Sequence, residues 1–365
     1  MIRRHVVQAI FKRNFHSYFG APTGYVFIAV FVALSAVLAF WRDMFFSSNL
    51  ANLDPLNRYF PYLLLFFVPA VAMAIWSEER KQGTDELLMT LPATDLEILL
   101  GKYFSALGIY SVALLFSLSN VLWLWWLGNP DAGVMIGTYL GYWFLGAALL
   151  SVAMVASQLT SSQTVAFILG ALFCAVPVFL GDVSVIVSGR LQEWLEGVGV
   201  DEGFNDLASG VVSIRAMLYF VCLTVLFLYV NLALLARRHT DRGDAWLHFG
   251  TRAVSILVIG VALGALANRA GGRVDLTQER LHSLSDPTRE VIRKIDPGRP
   301  VLIQAYVSPD VPESFVEQRQ TLLALLREYD AIGGDRIHLR VVDTERYTPE
   351  ARQAEDQFGI KPVLL

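Results

Sequence analysis

The sequence predicts an α-helical polytopic membrane domain followed by a partial, water-exposed α/β domain. Three observations carry this expectation. Of 365 residues, 55% are hydrophobic and 17% charged, whereas soluble domains carry roughly 25% charged residues. Mean hydropathy is +0.48. The deficit of charge is uneven, because apolar runs dominate up to about Ala267 and the remainder reads as an ordinary soluble sequence. The net charge of −4 gives no reason to expect nucleic acid as a partner.

A bilayer core about 30 Å thick needs roughly 20 apolar residues in a helix. Seven stretches meet or approach that length, at about 23–41, 59–76, 103–127, 134–157, 164–181, 216–236 and 253–268. Ahead of them, residues 1–22 interleave apolar side chains with Lys12, Arg13 and His16, and no small-residue cleavage site follows a short apolar core. That pattern predicts a cytoplasmic interfacial helix whose cations face anionic headgroups. Arg3, Arg4, Lys12 and Arg13 precede the first span, Arg80, Lys81 and Lys102 lie between the second and third, and Arg237, Arg238, Arg242 and Arg252 follow the sixth. The loop at 182–215 is instead acidic, with Glu193, Glu196, Asp201, Glu202 and Asp206. This asymmetry places the N-terminus and the 241–252 linker in the cytoplasm, and seven spans then put residues after about 269 outside.

Within the spans, Asn120 and Asn231 are expected to bridge helices, and Cys174 and Cys222 to pack. The absence of intramembrane acids argues against a proton-coupled carrier. Gly137/Gly141 and Gly260/Gly264 give GxxxG spacings that allow close helix approach.

The most informative stretch is 77–102, SEERKQGTDELLMTLPATDLEILLGK. Thr84 is placed to cap a short helix, Asp85 and Glu86 favour its positive dipole end, and Leu87, Leu88 and Leu91 form one apolar edge before Pro92. Such an edge needs cover from the lipid interface or from a partner's groove.

Glu79-Arg80-Lys81-x-Gly83-Thr84-x-x-x-Leu88-x-x-x-Pro92, followed by Gly101-Lys102, resembles the cytoplasmic loop of ABC type-2 permeases. Residues 204–220, FNDLASGVVSIRAMLYF, resemble the outer helical hairpin and sixth-span start of that family, with Phe204, Gly210, Arg215, Tyr219 and Phe220 matching best. The likeness covers roughly residues 1–240. It implies a six-span permease core over 23–240 with an outer hairpin at 182–215. It also implies a coupling helix at 84–91 that docks an ABC ATPase subunit through Glu79, Arg80, Gly83, Thr84, Glu86, Leu87, Leu88, Leu91 and Pro92. ATP and Mg would be bound by that separate subunit, and two copies of the chain would form a homodimer in the bacterial cytoplasmic (inner) membrane. On this reading Leu88→Asp abolishes ATPase co-purification.

The segment at 273–308 resembles the start of the auxiliary component of gliding-motility (Gld-type) ABC systems. That resemblance makes 253–268 the auxiliary protein's anchor and 269–365 an extracytoplasmic domain that continues past residue 365, with a protein or glycan as its partner. From the residues alone, the tail reads as α/β. A helix follows Asp286-Pro287 with Val291, Ile292 and Ile295, a strand runs over 301–307, an amphipathic helix over 312–329, and a second strand over 337–342. Strand, helix, strand predicts a parallel pair with a right-handed crossover.

The chain has no G-x-x-x-x-G-K-[ST]: Leu96 stands where the first glycine would, and Tyr103 where the hydroxyl would. G-x-S-x-G and H-E-x-x-H are also missing, the six histidines are scattered, and Asp343 reads as a solvated turn. The chain is therefore expected to hold no catalytic group, metal or cofactor. Two functions remain: transport driven by a separate ATPase, or mechanotransmission in which ATP cycling controls an extracytoplasmic partner.

Overall fold

A computed structural model describes residues 3–41, 45, 51–90, 92–184, 199–236, 250, 252–256, 258–260, 273–276, 286–296, 298–308, 313–344 and 348–361. The chain divides into two compact units, Met1–Asn268 with Gly272–Leu276, and Arg269–Gly271 with Thr277–Leu365.

The first unit is a helical bundle. Its elements are α1 (Arg4–Gly20), α2 (Pro22–Ala39), α3 (Asp54–Ala72), α4 (Ala74–Gln82), α5 (Thr84–Thr90), α6 (Asp95–Ser117), α7 (Ser119–Leu127), α8 (Ala132–Leu159), α9 (Gln163–Ser184), α10 (Asp201–Ala208), β1 (Val211–Ser213), α11 (Ile214–Ala236) and β2 (Arg273–Asp275). Among the described residues, five helical stretches are long and apolar enough to cross a membrane: Asp54–Gln82, Asp95–Leu127, Ala132–Leu159, Gln163–Leu180 and Ile214–Ala236. A sixth is reached if α1 and α2, bent by 77° at Gly20–Gly24, count as one. The protein is thus a multi-pass membrane protein, with a small sheet region towards its C-terminus.

Helix α8 is the hub, and its small residues explain why. At Gly146 an added Cβ would lie 2.2 Å from the Tyr110 ring, whose hydroxyl donates to the Tyr142 carbonyl (2.7 Å). At Gly137 it would meet Leu207 O at 2.6 Å and Gly210 Cα at 2.8 Å, and at Gly141 Leu207 Cβ at 3.0 Å. The first GxxxG therefore seats α10. The expected bridges by asparagine are present too. Asn231 donates to Ser151 O (2.9 Å) and accepts from Gln158 Nε2 (3.0 Å), and Asn120 donates to Ser35 Oγ (3.1 Å). Cys174 is buried and packs, its thiol 3.4 Å from Leu149 O.

Helix α1 is amphipathic. Val6, Val7, Ile10, Phe11, Phe15, Tyr18 and Phe19 turn inward, while Arg4, His5, Lys12 and His16 are exposed. The inner face lies on α6, where Gly101 admits Ile10 (2.7 Å to an added Cβ) and Gly108 admits Phe11 and Phe15.

Strand β1 pairs antiparallel with β2, Val211 opposite Asp275 and Ser213 opposite Arg273. Helix α11 begins directly after β1 and its 23 residues rise about 34 Å. Because β2 returns to β1, the chain between Ala236 and Arg273 must come back to the end from which α11 starts. Of the seventh predicted span, 253–268, residues 253–256 and 258–260 are described and helical. Gly260 there approaches Cys222 of α11 (3.1 Å to an added Cβ). Residues 261–268, most of the 241–252 linker and hairpin residues 185–198 lie outside the described residues.

The second unit contains α12 (Asp286–Arg293), β3 (Val301–Val307), α13 (Glu313–Gly333), a 3-10 turn Gly334–Arg336, β4 (Ile337–Asp343) and α14 (Pro349–Phe358). Strands β3 and β4 are parallel, as the strand, helix, strand order predicts, and are registered from Val301 opposite Ile337 to Val307 opposite Asp343. Ile292 and Ile337 are its buried centre, packed by Ile295, Ile303, Leu325, Tyr329 and Ile332.

Gly146→Val is expected to prevent the α6–α8 contact, because the Tyr110 ring occupies the space. Overpacking of this kind costs about 1–3 kcal/mol or more. Gly20→Val, where nothing lies within 4 Å, should be neutral. Thermal unfolding of the two variants in detergent, followed by tryptophan fluorescence, checks the contrast.

Candidate functional site

The charged loop is built at one end of α8. Helix α4 continues α3, and Ser157 of α8 covers the join: its hydroxyl donates to Met73 O (3.0 Å) and accepts from the Trp76 and Ser77 amides (3.0 and 3.3 Å). Helix α4 ends at Gly83, whose φ of +68° is the left-handed cap that glycine adopts without strain. Thr84 then opens α5. Its hydroxyl donates back to Glu79 O (3.3 Å), so it closes the end of α4. The expected role of Thr84 as a cap for its own helix is thus corrected: the tight Gly83 turn points the hydroxyl at the preceding carbonyl.

Two charge clusters pin this loop. Glu79 bridges Lys102 Nζ (2.6 Å) on α6 and Arg13 Nη2 (2.7 Å) on α1. The Lys102 side chain is 2% exposed, donates to Ile75 O (2.7 Å) and sits 4.5 Å from the Trp76 ring centroid. Counted in the sequence as a cytoplasmic-loop cation, Lys102 is in fact buried, because Glu79 and a π face replace its water. At the start of α6, Thr94 and Glu97 form a reciprocal capping box. Glu97 also accepts from the Arg3 amide (2.7 Å) and from Arg3 Nη2 (2.9 Å), and Arg3 Nη2 donates to Pro92 O. The Glu97 carboxylate raises the Arg3 guanidinium above its ordinary pKa, chiefly through the side-chain hydrogen bond.

The nine predicted docking residues fall as follows. Gly83, Thr84 and Pro92 are exposed, and Arg80 is half-buried beside the bridging Glu79. Glu86 and Leu87 lie on α5 with side chains that are not described, and Leu91 lies outside the described residues. Leu88 is 4% exposed and belongs to the main core. It therefore faces into the bundle and is not a leucine offered to a partner, and Leu88→Asp would probe folding before docking. The outward side of the described loop is instead Gln82, Gly83, Thr84, Thr90 and Pro92. Sequence spacing could not separate the inner from the outer face of a helix of seven residues.

The second predicted cluster lies at the other end of α8. Phe204 of α10 is buried and stacks on Tyr142 (5.9 Å between centroids), which stacks in turn on Phe60 (3.6 Å). Thr138 Oγ1 donates to Ala208 O (3.1 Å). Gly210, at φ +83°, passes directly over Gly137. Ser213 caps α11, accepting from the Ala216 amide (3.1 Å) and donating to Asp206 Oδ2 (3.0 Å). Phe220 is buried, with Tyr219 edge-on to it (5.3 Å), and Arg215 is half-buried. From Thr138 to Ser157 is about 28 Å along α8 at about 1.5 Å per residue, close to one bilayer core. The partners that sequence spacing did not reveal are Arg3, Arg13, Trp76, Glu97 and Ser157. Arg3, Arg13 and Ser157 are brought to the loop by tertiary packing, whereas Trp76 and Glu97 flank it in the sequence.

Among the described residues, no three His, Cys, Asp or Glu side chains are grouped to hold a metal ion. Residues 37–234, more than half of the chain, match the family described as ABC-2 family transporter protein. Residues 278–365 match a domain of unknown function, DUF7088. A comparison with curated proteins finds no match.

Glu79→Ala should leave the Lys102 ammonium buried without its counter-ion, a loss of about 3–5 kcal/mol. Glu79→Ala/Lys102→Met, which removes both charges, should recover most of it. Thermal midpoints of the purified chain in detergent read both effects.

Proposed function

Since the chain belongs to the ABC-2 transporter family, we propose that it is the membrane subunit of an export complex, worked through α5 by a separate ABC ATPase. The family consists of non-catalytic membrane subunits and implies an ABC ATPase partner in general. The observation that carries the finer reading is the pinned loop. Glu79 and Glu97 tie the ends of α4 and α6 to α1, so a push on the exposed side of the loop reaches three helices together. Lysine and arginine in residues 1–22 and 77–102 favour a cytoplasmic position for this end. The hairpin and the C-terminal unit are then extracytoplasmic, in a bacterial cytoplasmic membrane. A homodimer supplies the second half of the path, and the C-terminal unit corresponds to a Gld-type auxiliary domain that meets a protein or glycan.

One observation favours a second reading, mechanotransmission without a transported solute. Strand β2, immediately before the C-terminal unit, is hydrogen-bonded into the same hairpin that begins α11. Movement of the bundle would thereby reach the outer domain whether or not a solute path opens.

The docking assignment is tested on the outer side of the loop, where substitution spares the core. Gln82→Arg/Thr90→Arg should reduce ATPase co-purified with the native complex to below about a tenth of wild type, with little change in the thermal midpoint. Full retention of the ATPase by this variant would sink the assignment.

A further inference from the structure

We propose that residues 273–276 are a standing latch, a strand added beside β1 that holds the chain just ahead of Thr277 to the start of α11. The pairing is registered over three residues on each strand and extended by the Leu276 amide, which donates to Gly210 O (3.0 Å). The receiving side is itself held. Gly210 lies against Gly137 of α8, Ala208 O accepts from Thr138, and Ser213, the last residue of β1, caps α11. The chain passes through the second unit at Arg269–Gly271, returns to the first for Gly272–Leu276 and re-enters the second at Thr277, directly after the latch. Any displacement of the first turn of α11 is therefore delivered to residue 276 through main-chain hydrogen bonds, without a side-chain linkage that sequence variation could remove. The latch rests on the permease reading only for the source of that displacement.

The register decides the test. With 210 and 276 a hydrogen-bonded pair, Val212 and Val274 form the next bonded pair, and Val211 faces Asp275 at the closer, non-bonded position suited to a disulfide. In the full-length chain in membranes, V211C/D275C should yield the linked peptide by mass spectrometry at least about five times more than V211C/R273C, whose partners are out of register. Equal yields, or no link in either, overturn the latch. Val274 is 56% exposed, so V274P removes one ladder donor without opening the core. It should speed hydrogen exchange at the Leu276 amide at least about tenfold, and an unchanged rate counts against the pairing. In the native complex, closing the V211C/D275C disulfide should leave ATP turnover within about twofold of the reduced protein. A fall of about fivefold or more shows that the strands part during the cycle, which overturns a standing latch. If no ATPase accompanies the wild-type chain, the permease reading fails, while the linked-peptide and exchange measurements still decide the latch.

Discussion

Close approach to α8 is the constraint on which the bundle depends. Between helices in lipid, apolar contact supplies little drive, because acyl chains are as apolar as leucine. What holds such helices is how near their backbones come and which polar groups then meet. Helix α8 supplies both. Glycines at 137, 141 and 146 remove the side chains that would hold α10 and Tyr110 away. Its carbonyls then receive Tyr103, Tyr110 and Asn231 from α6 and α11. Its two ends carry Thr138, which holds the hairpin, and Ser157, which holds the α3–α4 join. One helix thus sets the distance between the two clusters.

The loop is stiff for an electrostatic reason. A lysine buried to the extent of Lys102 is tolerated only while its counter-charge stays in place, and Glu79 can satisfy it only if α4 keeps its position against α6. Arg13 on the opposite oxygen of Glu79 brings α1 into the same requirement. The Arg3–Glu97–Pro92 cluster repeats the device at the other end of α5. Displacing α4 alone would pull Glu79 away from buried Lys102, so the lower-energy response is movement of α1, α4 and α6 together.

Five of the seven expected spans, the α/β tail and the position of the loop were legible because each rests on a local pattern: apolar length, period-two alternation, or charge between apolar runs. The parallel pairing of 301–307 with 337–343 follows from strand, helix, strand order alone. The inward turn of Leu88 and the burial of Lys102 were not legible. Leu88 sits in a helix too short for its apolar face to be assigned by period, and the environment of Lys102 is made by Trp76 and Glu79 from another helix. Arg3 and Glu97 lie 94 positions apart, and no spacing rule connects them. Strands β1 and β2 escaped notice because three residues carry too little alternation to register as strands.

Those short strands also bear on topology, where hydropathy is weakest. The apolar stretch at 253–268 is shorter than the others, so length alone leaves its crossing undecided. The strand pairing adds a constraint that length does not supply. Helix α11 carries the chain away from β1, and β2 lies hydrogen-bonded beside β1, so an intervening return is a geometric necessity. The same pairing joins the two ends of the bundle in one line of contacts: α8 holds the loop through Ser157 and holds α10 through Thr138, and the strand after α10 is where α11 begins and β2 is bonded. The start of α11 and the strand β2 are therefore held at one place, and neither can shift without the other.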